Sequence, residues 1–336
     1  MGKQDIVGLA RKQTGFGYIR IKRTDLLDVL LEAAHKVEIP VYYNKRLTAI
    51  EDNEDGVTVT FSDGTTDTAD LLLGCDGIHS HVRRLHGDPL QIPEYSGHAS
   101  LSSLVPTSVL SGSVASRIRG LNAMVTQEGM FMAMTCTESN DKIFWGFSGQ
   151  VPLPESGDDR DGWEVHHKEE VEKSKSNLLG LLQNAHGEWG SVMKQIVDKT
   201  SVIKFYPIYR LPPGGAWFRG RCLLLGDAAH AMQPHAGQGV SMALEDAFLL
   251  SRLLEDRTRS LGDIYKRFDQ IRRPRVDEIA NLAARNAQVR KRAGPWGLRL
   301  KELGIWMYMW VSWTFGLDKW GVVQKHLVYD IDKEEL

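Results

Sequence analysis

The stretch RCLLLGDAAHAMQPHAGQGVSMALEDAFLLSRLL, Arg221–Leu254, decides the fold. It opens with an apolar run, Arg221–Leu225, of the kind seen in strands buried on both faces. Gly226 and Asp227 end that run. After a loop to about Gln238, apolar residues at 240, 243, 244, 247, 248, 250 and 254 predict a long helix. Pro234, Gly237, Gln238 and Gly239 stand directly before it. A glycine-rich loop entering a helix presents unpaired N–H groups and the positive end of the helix dipole. Such a site stabilises an anion, or a ring carbonyl that gains negative charge. It is not a GxGxxG loop, because Met242 holds the third glycine's place and the loop does not directly follow the strand.

A second apolar run, LLLGCDG at 71–77, ends in the same way, with Asp76-Gly77. In open α/β sheets ligands bind beyond the carboxyl ends of the strands, where a carboxylate can accept hydrogen bonds from polyol hydroxyls. Each aspartate has an alternative reading as the N-cap of the helix after it. Further out, Thr24 as N-cap and Leu26, Leu27, Leu30, Leu31 and Ala34 predict a helix over about 24–37. RLTAIED, GVTVTF and TDTADLLLGCD read as a β-meander, followed by a short helix near Ile78–Leu85. Strands are expected at Ala99–Val105, Gly129–Thr135 and Lys142–Ser148. A polar insertion at 154–162, a charged helix over about 164–185 and an irregular connector at Tyr206–Gly220 follow. More helix is expected over 261–290, with a kink at Pro274.

Composition excludes several classes. The 336 residues are 42% hydrophobic and 25% charged, as in an ordinary globular chain of about two domains. A net charge of -2 offers nothing to nucleic acid. Cys75, Cys136 and Cys222 form neither CxxC nor zinc spacing, so they read as reduced thiols, no metal is assigned, and the expected compartment is the cytoplasm. The N-terminus has no signal-peptide pattern. The run Gly304–Phe315 (GIWMYMWVSWTF) is too short to span a bilayer, and packing as a buried helix is favoured over contact with a membrane surface. His79 and His81 would point to different helix faces, and no GxSxG elbow occurs. Arg267, Arg272, Arg273 and Arg275, alternating with Asp269 and Asp277, read as a solvated helix face. Phe144, Trp145 and Phe147 read as core.

Residues 226–254 closely resemble the GD motif of the group A flavin monooxygenases, the para-hydroxybenzoate hydroxylase-like family. LLLGCDGIHSHVR (71–83) resembles that family's DG motif, and IRIKRTDLLDVLLEAA (19–34) its Arg-x-x-Leu helix entry. YPIYRLPPGGAWFRGR and YKRFDQIRRPR (265–275) also look like family segments, and the C-terminal portion agrees with the fungal salicylate-hydroxylase-like branch. The resemblance implies an α/β, FAD/NAD(P)-binding fold with a mixed-sheet substrate domain. It implies an FAD-dependent monooxygenase that uses NAD(P)H and O2 on a small aromatic or polyketide-like substrate, in secondary metabolism. It places Asp227 on the ribityl chain, Arg23 near the flavin and Pro234 beside the isoalloxazine. The loop at Gly237, with the N–H groups of Gly239 and Val240, would face the pyrimidine carbonyl. Asp76 would serve the flavin domain as well as the ligand. No catalytic acid or base is assigned.

One family element is not found. The early pair Gly15-Phe16-Gly17 does not make a GxGxxG turn, and only 22 residues precede Arg23, where the family places a whole βαβ unit. The expectation is therefore an N-terminally incomplete chain with weakened or lost FAD binding. Expected boundaries are a strand remnant of the substrate domain at 1–22, FAD-binding parts at 23–90 and 204–290, a substrate domain at 91–203 and a C-terminal helical layer at 291–336. The alternative is a flavin-free isomerase, cyclase or binding protein on the same scaffold. A dehydrogenase or halogenase is a third reading, although FWGFSG lacks a halogenase signature.

Overall fold

The computed structural model describes residues 11–12, 14–16, 21–118, 120–137, 139–151, 163–165, 168–183, 185, 187–316 and 325–336. The expected polar insertion at 154–162 lies outside them, as do His166 and His167. Of the expected strand remnant at 1–22, the described part is a helical turn, in which Gly15 N–H donates to Arg11 O at 3.0 Å.

In chain order the strands are β1 (Leu47–Asp52), β2 (Val57–Phe61), β3 (Thr66–Ala69), β4 (Leu72–Gly74), β5 (Glu94–Pro106) and β6 (Leu121–Val125). Then come β7 (Gly129–Thr135), β8 (Lys142–Gln150), β9 (Trp163–Val165), β10 (Ile203–Arg210), β11 (Phe218–Arg219) and β12 (Cys222–Leu224). The longer helices are α1 (Arg23–Lys36), α2 (Lys168–Leu181), α3 (Gly187–Asp198), α4 (Gly239–Glu255), α5 (Leu261–Val289) and α6 (Pro295–Thr314). They compose two compact units: Met1–Pro40 with Gly97–Pro207 and Gln288–Tyr329, and Val41–Ser96 with Ile208–Ala287 and Asp330–Leu336.

The first unit is built on a sheet of order β6-β7-β8-β5-β10-β9, with β6, β7 and β8 antiparallel to one another and β5 antiparallel to β8. Phe131, Ile143 and Trp145 on the sheet pack with Leu178 and Leu182 of the α2 segment and Ile196 of α3. Trp145 is fully buried and its indole N–H donates to Thr200 Oγ1 at 2.8 Å, which makes it core, as read. Helix α3 and the strand β10 were not expected. The hydrophobic periodicity of α3 begins after a break in the charged segment, and β10 carries Pro207, a residue that argues against a strand.

The second unit holds the meander β1-β2-β3 and a small sheet of order β11-β12-β4. The run read as one strand, TDTADLLLGCD, is two strands in two sheets. Thr66–Ala69 pairs with β2, while Leu72–Gly74 pairs in parallel with β12. Strand β12 is buried throughout, as expected, but β4 is the edge of its sheet among the described residues and Leu73 is exposed. Leu223, Leu224, Met242, Leu249, Tyr265 and Phe268 form the core of this unit.

Two helix readings need correction. Helix α1 begins after Lys22, which makes no side-chain cap; Thr24 lies inside the helix and bonds Asp25 instead. The basic stretch of α5 is not a solvated face, because Arg272 and Arg275 are buried among the acids of α4. Arg267 and Arg273 stay at the surface as read, Arg267 donating to Glu335 O and Arg273 pairing with Asp269 one turn away. Helix α5 runs unbroken through Pro274.

Candidate functional site

The parallel pair β4 and β12 brings the two expected carboxylates to one end of one sheet. Cys222 stands opposite Leu72, Leu223 opposite Leu73 and Leu224 opposite Gly74, and Leu225 N–H donates to Gly74 O at 3.0 Å. Asp76 and Asp227 therefore leave neighbouring strands at their carboxyl ends, the position where α/β sheets bind ligands. Gly74 is required there by packing, since a Cβ would meet the Leu224 and Val82 side chains at 2.7 and 2.9 Å.

Their side chains do different things. Asp76 Oδ2 accepts the N–H groups of His81 and Val82 at 2.6 and 3.2 Å, so it caps the following turn. Asp227 is exposed and has no partner among the described residues. Its carboxylate is available to hydroxyl groups of a ligand.

The turn that carries Asp227 is fixed from two sides, by Asp246 and by Arg83, neither of which the sequence singles out. Gly226 adopts φ 56° and ψ -139°, and its N–H donates to Asp246 Oδ2 at 2.8 Å. The same oxygen lies 2.7 Å from His230 Nε2, while Arg272 Nε donates to Asp246 Oδ1 at 2.8 Å. Burial pushes the Asp246 carboxyl up, but the bond from His230 and the Arg272 charge outweigh it and hold the group below the ordinary carboxylate range. From the other side the buried Arg83 donates to Ala228 O at 2.7 Å, to Gln91 O at 3.2 Å and to Ile78 O. Burial lowers the Arg83 pKa. The available signal for Asp246 was an acidic pair, Glu245-Asp246, inside an apolar helix; the signal for Arg83 was absent.

Pro234–Ala236 form a 3-10 turn, Gly237 closes it in the left-handed region at φ 66°, and α4 starts at Gly239. Pro234, Gly237, Gly239 and Val240 are all exposed. Gln238, at the N-cap, offers no side-chain bond, and the N–H groups of Gly239, Val240 and Ser241 have no acceptor among the described residues. Beyond its chain neighbours and its own helix backbone, nothing among the described residues lies within 4 Å of a Cβ added at Gly239. A partnerless donor set beside open space fits a ring carbonyl or anion held against the helix start. The residues present thus fit the isoalloxazine and ribityl end of FAD.

The structure brings Asp76, Asp227, Pro234, Gly237, Gly239 and Val240 into the second unit. Arg23, the first residue of α1, belongs to the first unit, although residues 23–90 were expected to form one domain part. The contact pattern that separates them is plain in α1 itself, which has no buried residue. Outside the loop region, Asp52, His86 and Cys222 bring potential ligand atoms within 4.8 Å of one another. Asp52 Oδ2 lies 3.0 Å from His86 Nε2 and accepts the Arg221 N–H at 2.9 Å, so hydrogen bonds already account for this group.

A free helix start, a left-handed glycine and an unpaired aspartate beyond parallel strands make a ligand site on an α/β scaffold. A family described as "FAD binding domain" matches residues 5–200 and 212–283, and the chain belongs to that family. A 6-hydroxynicotinate 3-monooxygenase of Pseudomonas fluorescens is 28% identical over 93% of this chain and 73% of its own length. A salicylate hydroxylase of Pseudomonas putida is 28% identical over 79% of this chain and 62% of its own length. Klebsiella pneumoniae HpxO, solved with FAD and uric acid, superposes with a TM-score of 0.72 at 21% identity, covering 90% of this chain and 71% of that one. A salicylate hydroxylase substrate complex gives 0.68 at 20% identity, covering 92% and 73%. These two structures show the shared fold. The family and the relatives make this chain an FAD-dependent monooxygenase.

Proposed function

We propose that the protein hydroxylates a small aromatic or polyketide-like substrate in secondary metabolism, in the cytoplasm. The observation that carries this reading is the free N-terminus of α4 beside the unpaired Asp227. Bound FAD supplies the oxygen chemistry and accepts reducing equivalents from NAD(P)H. The chain's own residues position and polarise it. Asp227 accepts from ribityl hydroxyls, Pro234 flanks the ring, and the Gly239 and Val240 N–H groups hold the carbonyl where negative charge gathers on reduction. We assign flavin binding to the second unit, with Asp76 supporting it as a cap.

To test activity, the chain is supplied with excess FAD and NADPH or NADH and offered salicylate and 6-hydroxynicotinate. Substrate-stimulated oxidation of the reductant with a hydroxylated product supports the proposal. Reductant oxidation that yields only peroxide with every phenol counts against hydroxylation, and failure to bind added FAD at any concentration favours the flavin-free isomerase or cyclase.

A further inference from the structure

Helix α6 was expected to pack as part of a C-terminal layer, and the structure overturns that: Ser312 is its single buried residue. Its inward stripe is Leu298, Lys301, Met309 and Ser312, and Lys301 Nζ donates to Val289 O at 3.2 Å and to Lys291 O. Its outward stripe is Trp296, Leu300, Leu303, Met307 and Trp310, all exposed. Trp306 and Trp313 widen that face, with Trp313 81% exposed. The rings of Trp306 and Trp310 stack at 6.4 Å and 14°, so part of the face is already ordered.

We propose that α6 is a one-sided membrane anchor, its tryptophan-rich face resting in the headgroup–acyl boundary of an anionic bilayer. The width of the face selects this occupant. At 100° per residue the exposed apolar positions from Trp313 round to Tyr308 sweep roughly 220°, far wider than the seam a single partner helix covers. Tryptophan and tyrosine, with an apolar body and a polar tip, favour the interface, and four exposed tryptophans lie on this one helix. Charge agrees: Lys291 and Arg299 are exposed in the approach and first turns, beside Arg292, which pairs with Glu128 at 3.0 Å, against Glu302 as the one acid of the helix. Among the described residues no helix is long and apolar enough to cross a membrane, so the contact is with one leaflet.

The experiment is flotation of the 336-residue chain with vesicles of phosphatidylcholine alone and with about one third phosphatidylserine, alongside a W306S/W310S variant. Neither tryptophan is buried, so the variant keeps the fold, which circular dichroism checks. The expected result is flotation with the anionic vesicles, a blue shift of tryptophan emission, and at least a tenfold loss of binding in the variant. Absence of flotation, equal binding by the variant, or equal binding to both vesicle types would overturn the proposal. So would a dimer in gel filtration that the variant dissolves while the wild type ignores vesicles, since that assigns the face to a second copy of the chain.

Discussion

Arg272 Nε donates to Asp246 Oδ1 at 2.8 Å, and neither side chain has any solvent exposure. One helix thereby locks a carboxylate of another, and that carboxylate in turn holds the Gly226 N–H and His230. The turn carrying Asp227 is positioned by a buried charge pair two contacts away from any ligand.

Removing one member of such a pair strands the other charge in the interior. Asp246→Ala and Arg272→Met should each destabilise the protein by about 3–5 kcal/mol. Their combination should cost less than the sum, because the double variant leaves no isolated charge. Urea unfolding of the three variants checks this, and additive losses would show that the residues act separately. Arg272→Lys should not rescue, because Arg272 also bonds Glu245 Oε2 at 2.6 Å and Met242 O at 3.2 Å, a fork lysine cannot reproduce.

Acid should expose the same network. Asp246 has a lower pKa folded than unfolded, so its contribution is fully present above the ordinary carboxylate value near about 4. It is lost as the pH falls through the folded value. The unfolding midpoint of the wild type should therefore hold, as far as this group is concerned, from about pH 7 to about pH 5 and drop below about pH 4. Asp246→Asn should start lower and flatten that acid limb. A limb of unchanged slope in the variant would exclude Asp246 as its source.

Two glycines of the loop before α4 should respond in opposite ways. Gly237 sits at φ 66°, where a side chain is strained, so Gly237→Ala should cost about 1–2 kcal/mol of stability. Gly239→Val should change stability little, since a Cβ there meets nothing within 4 Å. It should nevertheless weaken binding of added FAD at least tenfold by filling the space before the helix start. Fluorescence titration with FAD beside thermal unfolding separates the two effects; normal FAD affinity in Gly239→Val would move the flavin elsewhere.

The cysteines should divide by accessibility. Cys222 is buried, and burial, with Asp52 beside it, pushes its thiol up to about 12. Alkylation of the native protein followed by peptide mapping should leave Cys222 unmodified until denaturant is added, while the exposed Cys75 is modified first. Labelling of Cys222 at the rate of Cys75 would mean that β12 opens readily.

Much of the fold was legible because its signals are local. The Leu223-Leu224-Leu225 run, the Gly226-Asp227 stop and the periodic helix after Gly239 were read from residues adjacent in sequence, and α4 spans Gly239–Glu255 as expected. Gly237 and the helix start were placed by the same local chemistry. What tertiary structure alone decided was which side of each element faces inward. Apolar residues stand on both sides of α4: Val240, Leu244 and Phe248 are exposed, while Met242, Leu249, Leu250 and Leu253 are buried together with the charged Asp246. Hydrophobic periodicity measures transfer from water and cannot anticipate a carboxylate that is buried because Arg272, His230 and the Gly226 N–H arrive from elsewhere in the chain. The same limit applies at α6, where an aromatic run that reads as core stands at the surface. Sequence determined the elements and the loop chemistry; partners brought together by folding decided that Asp76 caps a turn while Asp227 stays free.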